Sequence, residues 1–404
     1  MATTPVSSPA LRLTTRTASL GTEGAFDVLV AARRLEAAGR DVIHLEIGEP
    51  DFPTPEHIVD AAARALREGK TKYTQPAGIP ELRTAIAEHM AQRGVTARPE
   101  RVVVTPGAKP ILFYSMLTLV RRGDEVLVPD PGFPIYESVV RFAEATPRFY
   151  SLRADRGFAP DLESIASLIG PRTRAIMLNS PHNPTGGVAR ARELEAVADL
   201  AQRHDLVVLA DEIYSRHVHD VSHASIAALE GMADRTVIVD GFSKTFAMTG
   251  WRLGYGVMPE PIAERVTKLI VNSTSCTAAF VQHAGVAALT GPQEPVATMV
   301  AEFRGRRDLL VRGLSALDGV SCTLPSGAFY AFPDFSAVLS RTGLTTETLA
   351  HRLLHEHGVA CLAGTAFGER GRGHVRFSYA ASRAQLTEAL NRLRGAVAAL
   401  PTVS

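Results

Sequence analysis

Short apolar, strand-like runs alternate with helix-like stretches through the middle of the chain. Seven short runs between residues 101 and 258 are rich in apolar and β-branched residues, and several are closed by Pro, Gly or Asp. They are RVVVTPG, EVLVPDPG, TPRFYSL, RAIMLNSP, LVVLADE, TVIVDGF and RLGYGVM. Helix-like stretches at 110–120, 162–168 and 190–203 separate several of them. This alternation predicts an α/β fold with a mainly parallel sheet covered by helices.

Two helices are predicted before the strand-rich region. Residues 23–38 have helical spacing and stop at Gly39. Thr54-Pro55-Glu56 has the features of a helix start, with Thr54 as the capping residue and Pro in the first turn, and Gly69 ends that helix. Because these helices need a surface to cover, we expect the N-terminal residues to join a smaller unit formed by the C-terminal part.

The C-terminal part predicts a smaller α+β domain beside the large one. Helical stretches at 259–271, 295–317, 349–357 and 382–399 accompany the segments AFYAF and HVRFSY. The predicted divisions are an arm at 1–22, a segment joining the small domain at 23–68, a large domain at 69–292 and a small domain at 293–404.

Composition argues against nucleic acids and membranes as binding partners. The 404 residues include 43 Lys plus Arg against 42 Asp plus Glu, so the net charge of +1 lacks the basic excess of a nucleic-acid binder. Apolar runs stay shorter than a membrane span. We therefore expect small-molecule substrates, no nucleic acid and no membrane.

Cysteine usage and the first residues bear on location. Cys276, Cys322 and Cys361 are odd in number and far apart, which argues against a disulfide framework or a zinc site and fits a reducing compartment. The first twenty residues lack the apolar core of a secretory signal. Their Arg, Ser and Thr content also suits an organelle transit peptide, but the segment is short, so we predict a flexible arm and a cytoplasmic protein.

Polar residues follow several predicted strands, at the edge where open α/β sheets bind ligands. They are Gly107-Ala108-Lys109, Asn183, Asp211 with Tyr214, and Ser243 with Lys244. Each also has a structural interpretation as turn or capping chemistry. Lys244 is the most informative, because it is one of only five lysines and lies between Phe242 and Phe246. A desolvated amine has the lowered pKa that imine formation requires, unless Asp240 pairs with it in a structural ion pair.

Together these residues match the needs of pyridoxal 5'-phosphate. Its pyridine nitrogen needs a carboxylate, for which Asp211 is the candidate, and its 3-oxygen needs donors such as Asn183 and Tyr214. Its phosphate needs backbone N–H groups at a helix start together with hydroxyl or cationic donors. Those candidates are Gly107, Ala108, Lys109, Ser243 and Arg252.

Five motifs then resemble those of a known family. NSPHNPTGG, ADEIY, GFSKTFAMTGWRLGY, YTQPAGIPELR and VRFSYA are similar to the motif set of the fold type I pyridoxal-phosphate aminotransferases of class I/II, in the bacterial aspartate-aminotransferase-like subgroup. The resemblance runs from about Leu20 to Leu393. It implies a fold type I enzyme that moves an amino group from an L-amino acid to a 2-oxo acid by a ping-pong mechanism.

The resemblance also implies roles for single residues. Lys244 is the imine-forming lysine, Asp211 the partner of the pyridinium, and Phe133 the ring stacked on the pyridine. Tyr73 matches the tyrosine that reaches the phosphate in the neighbouring subunit, which implies a homodimer with shared active sites. The remaining matches are Asn183 and Tyr214 at the 3-oxygen, Ser243 and Arg252 at the phosphate, and Arg376 and Gly48 at the substrate α-carboxylate.

Lys109 favours aspartate or glutamate as the amino donor. An ammonium at the pocket rim can pair with the side-chain carboxylate of aspartate or glutamate, or it can point to solvent or to the phosphate. Alanine and aromatic amino acids are alternative donors. A lyase or decarboxylase on the same fold would use the same Lys244 and Asp211.

Other features indicate no further chemistry. His351, His355 and His357 include a pair four residues apart, but the stretch is typical of the polar face of a helix, so we expect no metal site. GERGRG, at 368–373, lacks the strand-to-helix context of a dinucleotide fingerprint, which argues against a nicotinamide dehydrogenase and predicts a loop near the substrate. About twenty residues before the matching region leave no room for the DNA-binding domain of a regulator.

Overall fold

An eight-stranded sheet forms the centre of the computed structural model, which describes residues 17–400. The strands within these residues are β1 (Ile43–His44), β2 (Val102–Thr105), β3 (Glu125–Asp130), β4 (Thr146–Arg153), β5 (Ala159–Pro160), β6 (Thr173–Asn179), β7 (Val207–Asp211), β8 (Thr236–Gly241), β9 (Gly254–Val257), β10 (Tyr330–Ala331), β11 (Val359–Ala360), β12 (Leu362–Ala363) and β13 (Val375–Ser378). The large sheet has the order β2-β9-β8-β7-β6-β3-β4-β5. Its neighbours from β8 to β4 pair in parallel, whereas β9 and β5 pair antiparallel.

Helices follow most of these strands. They are α1 (Gly24–Ala37), α2 (Glu56–Arg67), α3 (Pro80–Gln92), α4 (Lys109–Leu119), α5 (Pro134–Phe142), α6 (Leu162–Leu168), α7 (Ala191–Arg203), α8 (Glu260–Val271), α9 (Ala279–Thr290), α10 (Glu294–Ser315), α11 (Ser336–Thr342), α12 (Thr346–His355) and α13 (Arg383–Ala399). None of them is long and apolar enough to cross a membrane.

Alternate residues of the large sheet pack on opposite faces. Leu209 and Val237 lie in a core with α4, α5 and α8, whereas their neighbours Val208 and Ile238 face helices on the other side. Every residue of β3 and β8 is buried, and the middle of each strand is an apolar run, at 126–129 in β3 and 237–239 in β8. The predicted fold class, a mainly parallel sheet covered by helices on both faces, is confirmed.

The C-terminal part builds a second, smaller unit. β10, β13 and β12 form an antiparallel sheet, and β1 pairs in parallel with β11. Helix α1 packs through Ala32 against Leu354 and Ala360. The prediction that the helix starting near Glu23 packs with the C-terminal part is therefore confirmed.

Helix α2 departs from the predicted segment at 23–68. Its Ile58 and Ala62 share an apolar core with Val102 and Val104 of β2, so this helix covers the large sheet. We propose that the chain passes from the small unit to the large one between β1 and α2; the other predicted limits stay predictions. Of the predicted arm at 1–22, residues 1–16 lie outside the described part of the chain.

The predicted cap of α2 was also wrong. The side chain of Thr54 makes no bond to the helix, which begins at Glu56 after Pro55. Its hydroxyl instead donates to the carbonyl of Ala247, at 2.7 Å. A capping residue can be drawn away in this manner when a tertiary acceptor lies within reach.

Candidate active site

A cavity of about 500 Å³ opens between the carboxyl ends of the large sheet and the small unit. Eleven of the residues predicted from the sequence line it: Gly48, Ala108, Lys109, Phe133, Asn183, Asp211, Tyr214, Ser243, Lys244, Arg252 and Arg376. Two predicted residues do not. Gly107 lies behind the cavity wall against Arg252, and the side chain of Tyr73 is 88% exposed.

Lys244 stands three residues after the end of β8 and is partly buried, with its amine inside the cavity. Its ammonium donates to the backbone carbonyl of Gly48, at 2.6 Å. Burial lowers the pKa of Lys244 from 10.5 to about 8, because the charged amine loses its hydration. The alternative of a structural ion pair with Asp240 was wrong: the carboxylate of Asp240 accepts a hydrogen bond from Arg93, at 2.8 Å.

Asp211 ends β7 with its carboxylate inside the cavity wall. One oxygen accepts a hydrogen bond from the hydroxyl of Tyr136, at 2.7 Å, and the other accepts from the amide of Ile213, at 3.2 Å. Burial raises the pKa of Asp211 to about 6. A cationic ring nitrogen placed beside this carboxylate would restore its charged form.

Two tyrosines in the cavity were missed from the sequence. Tyr136 lies in DPGFPIY, in the first turn of α5, and the position of that motif after β3 is a signal that could have identified it. Tyr330 comes from β10, and its hydroxyl lies 2.6 Å from that of Tyr214. Burial raises the pKa of Tyr214, so its phenol stays protonated and able to donate.

Arg376 extends from β13 into the cavity and is buried. One guanidinium nitrogen donates to the side-chain carbonyl of Asn183, at 2.9 Å, and another donates to the backbone carbonyl of Glu46. The guanidinium carbon lies 4.5 Å from the ring centroid of Tyr330 and 4.9 Å from that of Phe367.

No carboxylate pairs with Arg376 among residues 17–400, and its Nε has no hydrogen-bond partner there. A buried cation that contacts only neutral oxygens and rings is poorly compensated. The site is thus suited to an anionic ligand such as a carboxylate, which an arginine can hold through two parallel bonds.

A cradle for a phosphate lies at the start of α4. The helix begins at Lys109 without a side-chain cap, which leaves its first N–H groups free for a ligand. A Cβ on Gly107 would come 2.2 Å from a guanidinium nitrogen of Arg252, and a Cβ on Gly254 would come 2.4 Å from the amide of Ala108. Ser243 adds a hydroxyl at the same end of the cavity.

Lys109 lies at the cavity mouth and pairs with the carboxylate of Glu23. Its ammonium lies 5.6 Å from the ring centroid of Phe133. Glu23, which stands directly before α1, was not predicted from the sequence as a cavity residue. No motif marks this residue, because its contact with Lys109 depends on how the small unit closes over the large one.

Two features singled out in the sequence, the histidines near residue 355 and the glycine-rich segment at 368–373, do not line the cavity. The rings of His351 and His355 stack with centroids 3.9 Å apart on the surface of α12. Residues 17–400 contain no group of three or more His, Cys, Asp or Glu side chains that could hold a metal ion. The glycine-rich segment at 368–373 is anchored by Arg370, which pairs with Asp130 at 3.4 Å, and it directly follows Phe367.

Fold and site together define an α/β protein with a cavity at the carboxyl edge of a parallel sheet, lined by an amine, a carboxylate and an arginine that no carboxylate among residues 17–400 neutralises. The profile of the family "Aminotransferase class I and II" matches residues 40–393. The chain belongs to this family, and it is an aminotransferase.

Named relatives match this chain over most of its length and most of their own. The chain is 40% identical to an aspartate aminotransferase of Pyrococcus horikoshii over 88% of its length and 91% of that protein. It is 38% identical to aromatic-amino-acid aminotransferase 2 of Thermococcus litoralis over 87% of its length and 90% of that protein. The structure of Thermus thermophilus aspartate aminotransferase with maleate superposes with a TM-score of 0.90 at 40% identity, covering 96% of this chain and 100% of that one. The predicted family and fold type are confirmed.

Proposed function

We propose that this protein uses pyridoxal 5'-phosphate to move an amino group between an acidic L-amino acid, aspartate or glutamate, and a 2-oxo acid. The supporting observation is the convergence of three groups in one cavity: the amine of the partly buried Lys244, and the carboxylate of Asp211 and guanidinium of Arg376, which are both buried. A ping-pong order follows, because one substrate must leave its amino group behind before the second can collect it.

The donor set fits the cofactor. Lys244 would hold its aldehyde carbon, Asp211 its ring nitrogen and Phe133 one face of its ring. The 3-oxygen would lie against Asn183 and Tyr214, and the phosphate against Ser243, Arg252 and the backbone of residues 107–109. When bound, pyridoxal phosphate supplies an electron-accepting ring that stabilises the charge left at Cα after a proton departs.

The residues of this chain perform the proton transfer. With a pKa of about 8, Lys244 holds a substantial free-amine fraction near neutral pH, so it can accept the Cα proton and return it. Arg376 would grip the substrate α-carboxylate through its two terminal nitrogens, with the backbone of Gly48 closing over the same group. This grip would fix the orientation of the substrate Cα in the cavity.

The acidic donor is supported by Lys109 and by two relatives. The proteins of Pyrococcus and Thermus are named for aspartate, and maleate, present in the Thermus structure, is a four-carbon dicarboxylate. Aromatic donors are the second candidate. They are supported by the name of the Thermococcus relative and by the rings of Phe26 and Phe133 in the cavity wall.

The dimer is proposed on the exposure of Tyr73. A tyrosine that is 88% exposed packs against nothing in its own subunit, and it is free to reach a second copy. We propose a homodimer in which this residue contributes to the neighbouring active site. The cytoplasmic location stays a prediction.

The test begins with the visible spectrum of the purified protein. We expect an absorbance band from bound cofactor, followed by its loss when aspartate or glutamate is added. Screening the twenty amino acids with 2-oxoglutarate then ranks the donors. Pyruvate formed without amino transfer would indicate a lyase instead, and a protein that stays colourless with added pyridoxal phosphate would contradict the proposal.

Lys244→Ala should retain cofactor but lose turnover, because the remaining contacts hold the ring and phosphate while no amine is left to move the proton. We expect a loss of at least about 1,000-fold in kcat, in keeping with removal of a general base that also binds covalently. Cofactor content is measured by absorbance and turnover by coupled assay. Wild-type activity in this variant would overturn the role of Lys244.

A further inference from the structure

The carboxylate of Glu23 faces the cavity although its position suggests another role. Glu23 is the N-cap residue of α1, the position from which short polar side chains such as Ser, Thr, Asp and Asn bond the first N–H groups of their own helix. It makes no such bond. Its carboxylate instead pairs with the ammonium of Lys109, 86 residues away in sequence, and Glu23 lines the cavity mouth.

The pair is positioned where it can respond to a ligand. The side chain of Lys109 is 46% exposed and that of Glu23 is 17% exposed, so the carboxylate is the more enclosed partner. The negative charge of Glu23 also acts on the groups below, since it raises the pKa of both Lys244 and Arg376 against the lowering effect of their burial. Glu23 is therefore an anion inside the space that a substrate enters.

This arrangement matters for an acidic donor. Aspartate or glutamate bound through Arg376 carries a second carboxylate, and Lys109 is the cation at the mouth of the cavity that could receive it. That ammonium already has an anionic partner. The binding free energy gained from the second carboxylate is then only the difference between its ion pair with Lys109 and that of Glu23. The substrate carboxylate and the carboxylate of Glu23 also repel each other.

We propose that Glu23 is a specificity-determining residue: its carboxylate occupies the place on Lys109 that the side-chain carboxylate of an acidic donor would take. An acidic donor must displace it, whereas a neutral donor need not. The inference rests on the proposed aminotransferase reaction and deepens it. Glu23 thus lowers the preference for aspartate over neutral amino acids.

The test removes the charge and keeps the size of the side chain. For Glu23→Gln, the ratio of kcat/KM for aspartate to kcat/KM for phenylalanine should rise by about two- to fivefold, the range expected for a partly exposed ion pair. Succinate, a dicarboxylate without an amine, should bind the holoenzyme more tightly by a similar factor in calorimetry. Butyrate, with one carboxylate, should not. An unchanged or falling ratio would overturn the proposal.

Two further variants locate the effect. Asp27→Asn removes an exposed acidic charge from the first turn of the same helix and should leave the ratio unchanged. In a Lys109→Met background, Glu23→Gln should no longer raise the ratio, because no ammonium remains for the substrate to gain. A rise that persisted there would mean that Glu23 acts through Lys244 or Arg376, and the proposal would be wrong.

Failure of the proposed function would look different. In that case no amino acid would change the visible absorbance of the wild-type holoenzyme. The comparison of succinate with butyrate would still report whether Glu23 competes for Lys109, since neither compound has an amino group to transfer.

Discussion

Three ionisable side chains, of which two are buried and one is partly buried, lie in the cavity without an oppositely charged partner among residues 17–400. Lys244 contacts a backbone carbonyl, Asp211 a phenol and an amide, and Arg376 two neutral oxygens. Such groups are costly to bury, and a sequence selected for stability alone would replace or pair them. Their persistence in one cavity is best explained by a ligand that carries the complementary charges.

The pKa of Lys244 predicts how the cofactor-free protein captures pyridoxal phosphate. Only the uncharged amine has a lone pair for the aldehyde, and burial shifts that form to lower pH. The capture rate should rise with pH to a midpoint near 8 and then level off. Stopped-flow absorbance across this range measures it. A rate that keeps climbing toward 10.5, the ordinary lysine value, would contradict the burial argument.

At the scale of elements, the cavity is shaped by places where backbone approaches backbone. The turn between β2 and α4 passes against Arg252, and β9 passes against the same turn at Gly254. Glycine is required at these positions because a Cβ would overlap the guanidinium of Arg252 at Gly107 and the backbone of residues 107–108 at Gly254. A positive φ of 88° at Gly107 adds a conformational reason for the same residue.

Gly107→Ala should weaken cofactor binding by at least about tenfold, because the new Cβ displaces Arg252 from the phosphate and costs a charge-assisted hydrogen bond. Gly123→Ala is the matched control: Gly123 has nearly the same φ, 89°, but nothing within 4 Å of its Cβ. Both variants carry the same backbone strain. Cofactor dissociation constants measured by absorbance titration should therefore differ, and equal values would show that strain alone is responsible.

Sequence reasoning succeeded where an element carries its own signal. The strands of the large sheet are apolar runs closed by turn residues, and the residues after them form the cavity, as the topology of open sheets requires. It failed where a role depends on contact between distant elements. Glu23 and Tyr330 reach the cavity only through the closure of the small unit, and α2 covers the large sheet although the pattern of its residues does not specify which unit it joins.

At the scale of the whole molecule, a buried ion cluster stabilises the large unit beneath the cavity. Arg93 pairs with both Glu212 and Asp240. Glu212 directly follows β7, and Asp240 lies in β8. One guanidinium thus neutralises the two carboxylates nearest to Asp211 in the sheet. Asp211 is left as the carboxylate available to a cationic ligand.

The proposed dimer predicts complementation between two impaired variants. Lys244→Ala loses its own site, and Tyr73→Ala weakens cofactor binding in its partner's site. In a mixed dimer the second subunit keeps its lysine and receives an intact tyrosine, so an equal mixture allowed to exchange subunits should recover about a quarter of wild-type activity at limiting cofactor. Activity equal to the mean of the two variants would exclude shared sites.

The pairing of β1 with β11 has a consequence for folding during synthesis. Gly48, which accepts the hydrogen bond of Lys244, follows β1 near the beginning of the polypeptide. β1 pairs with β11, which is synthesised more than 300 residues later. Arg376 emerges later still. A nascent chain stalled before these last segments can therefore complete much of the large sheet, but it lacks the arginine proposed to bind the amino acid.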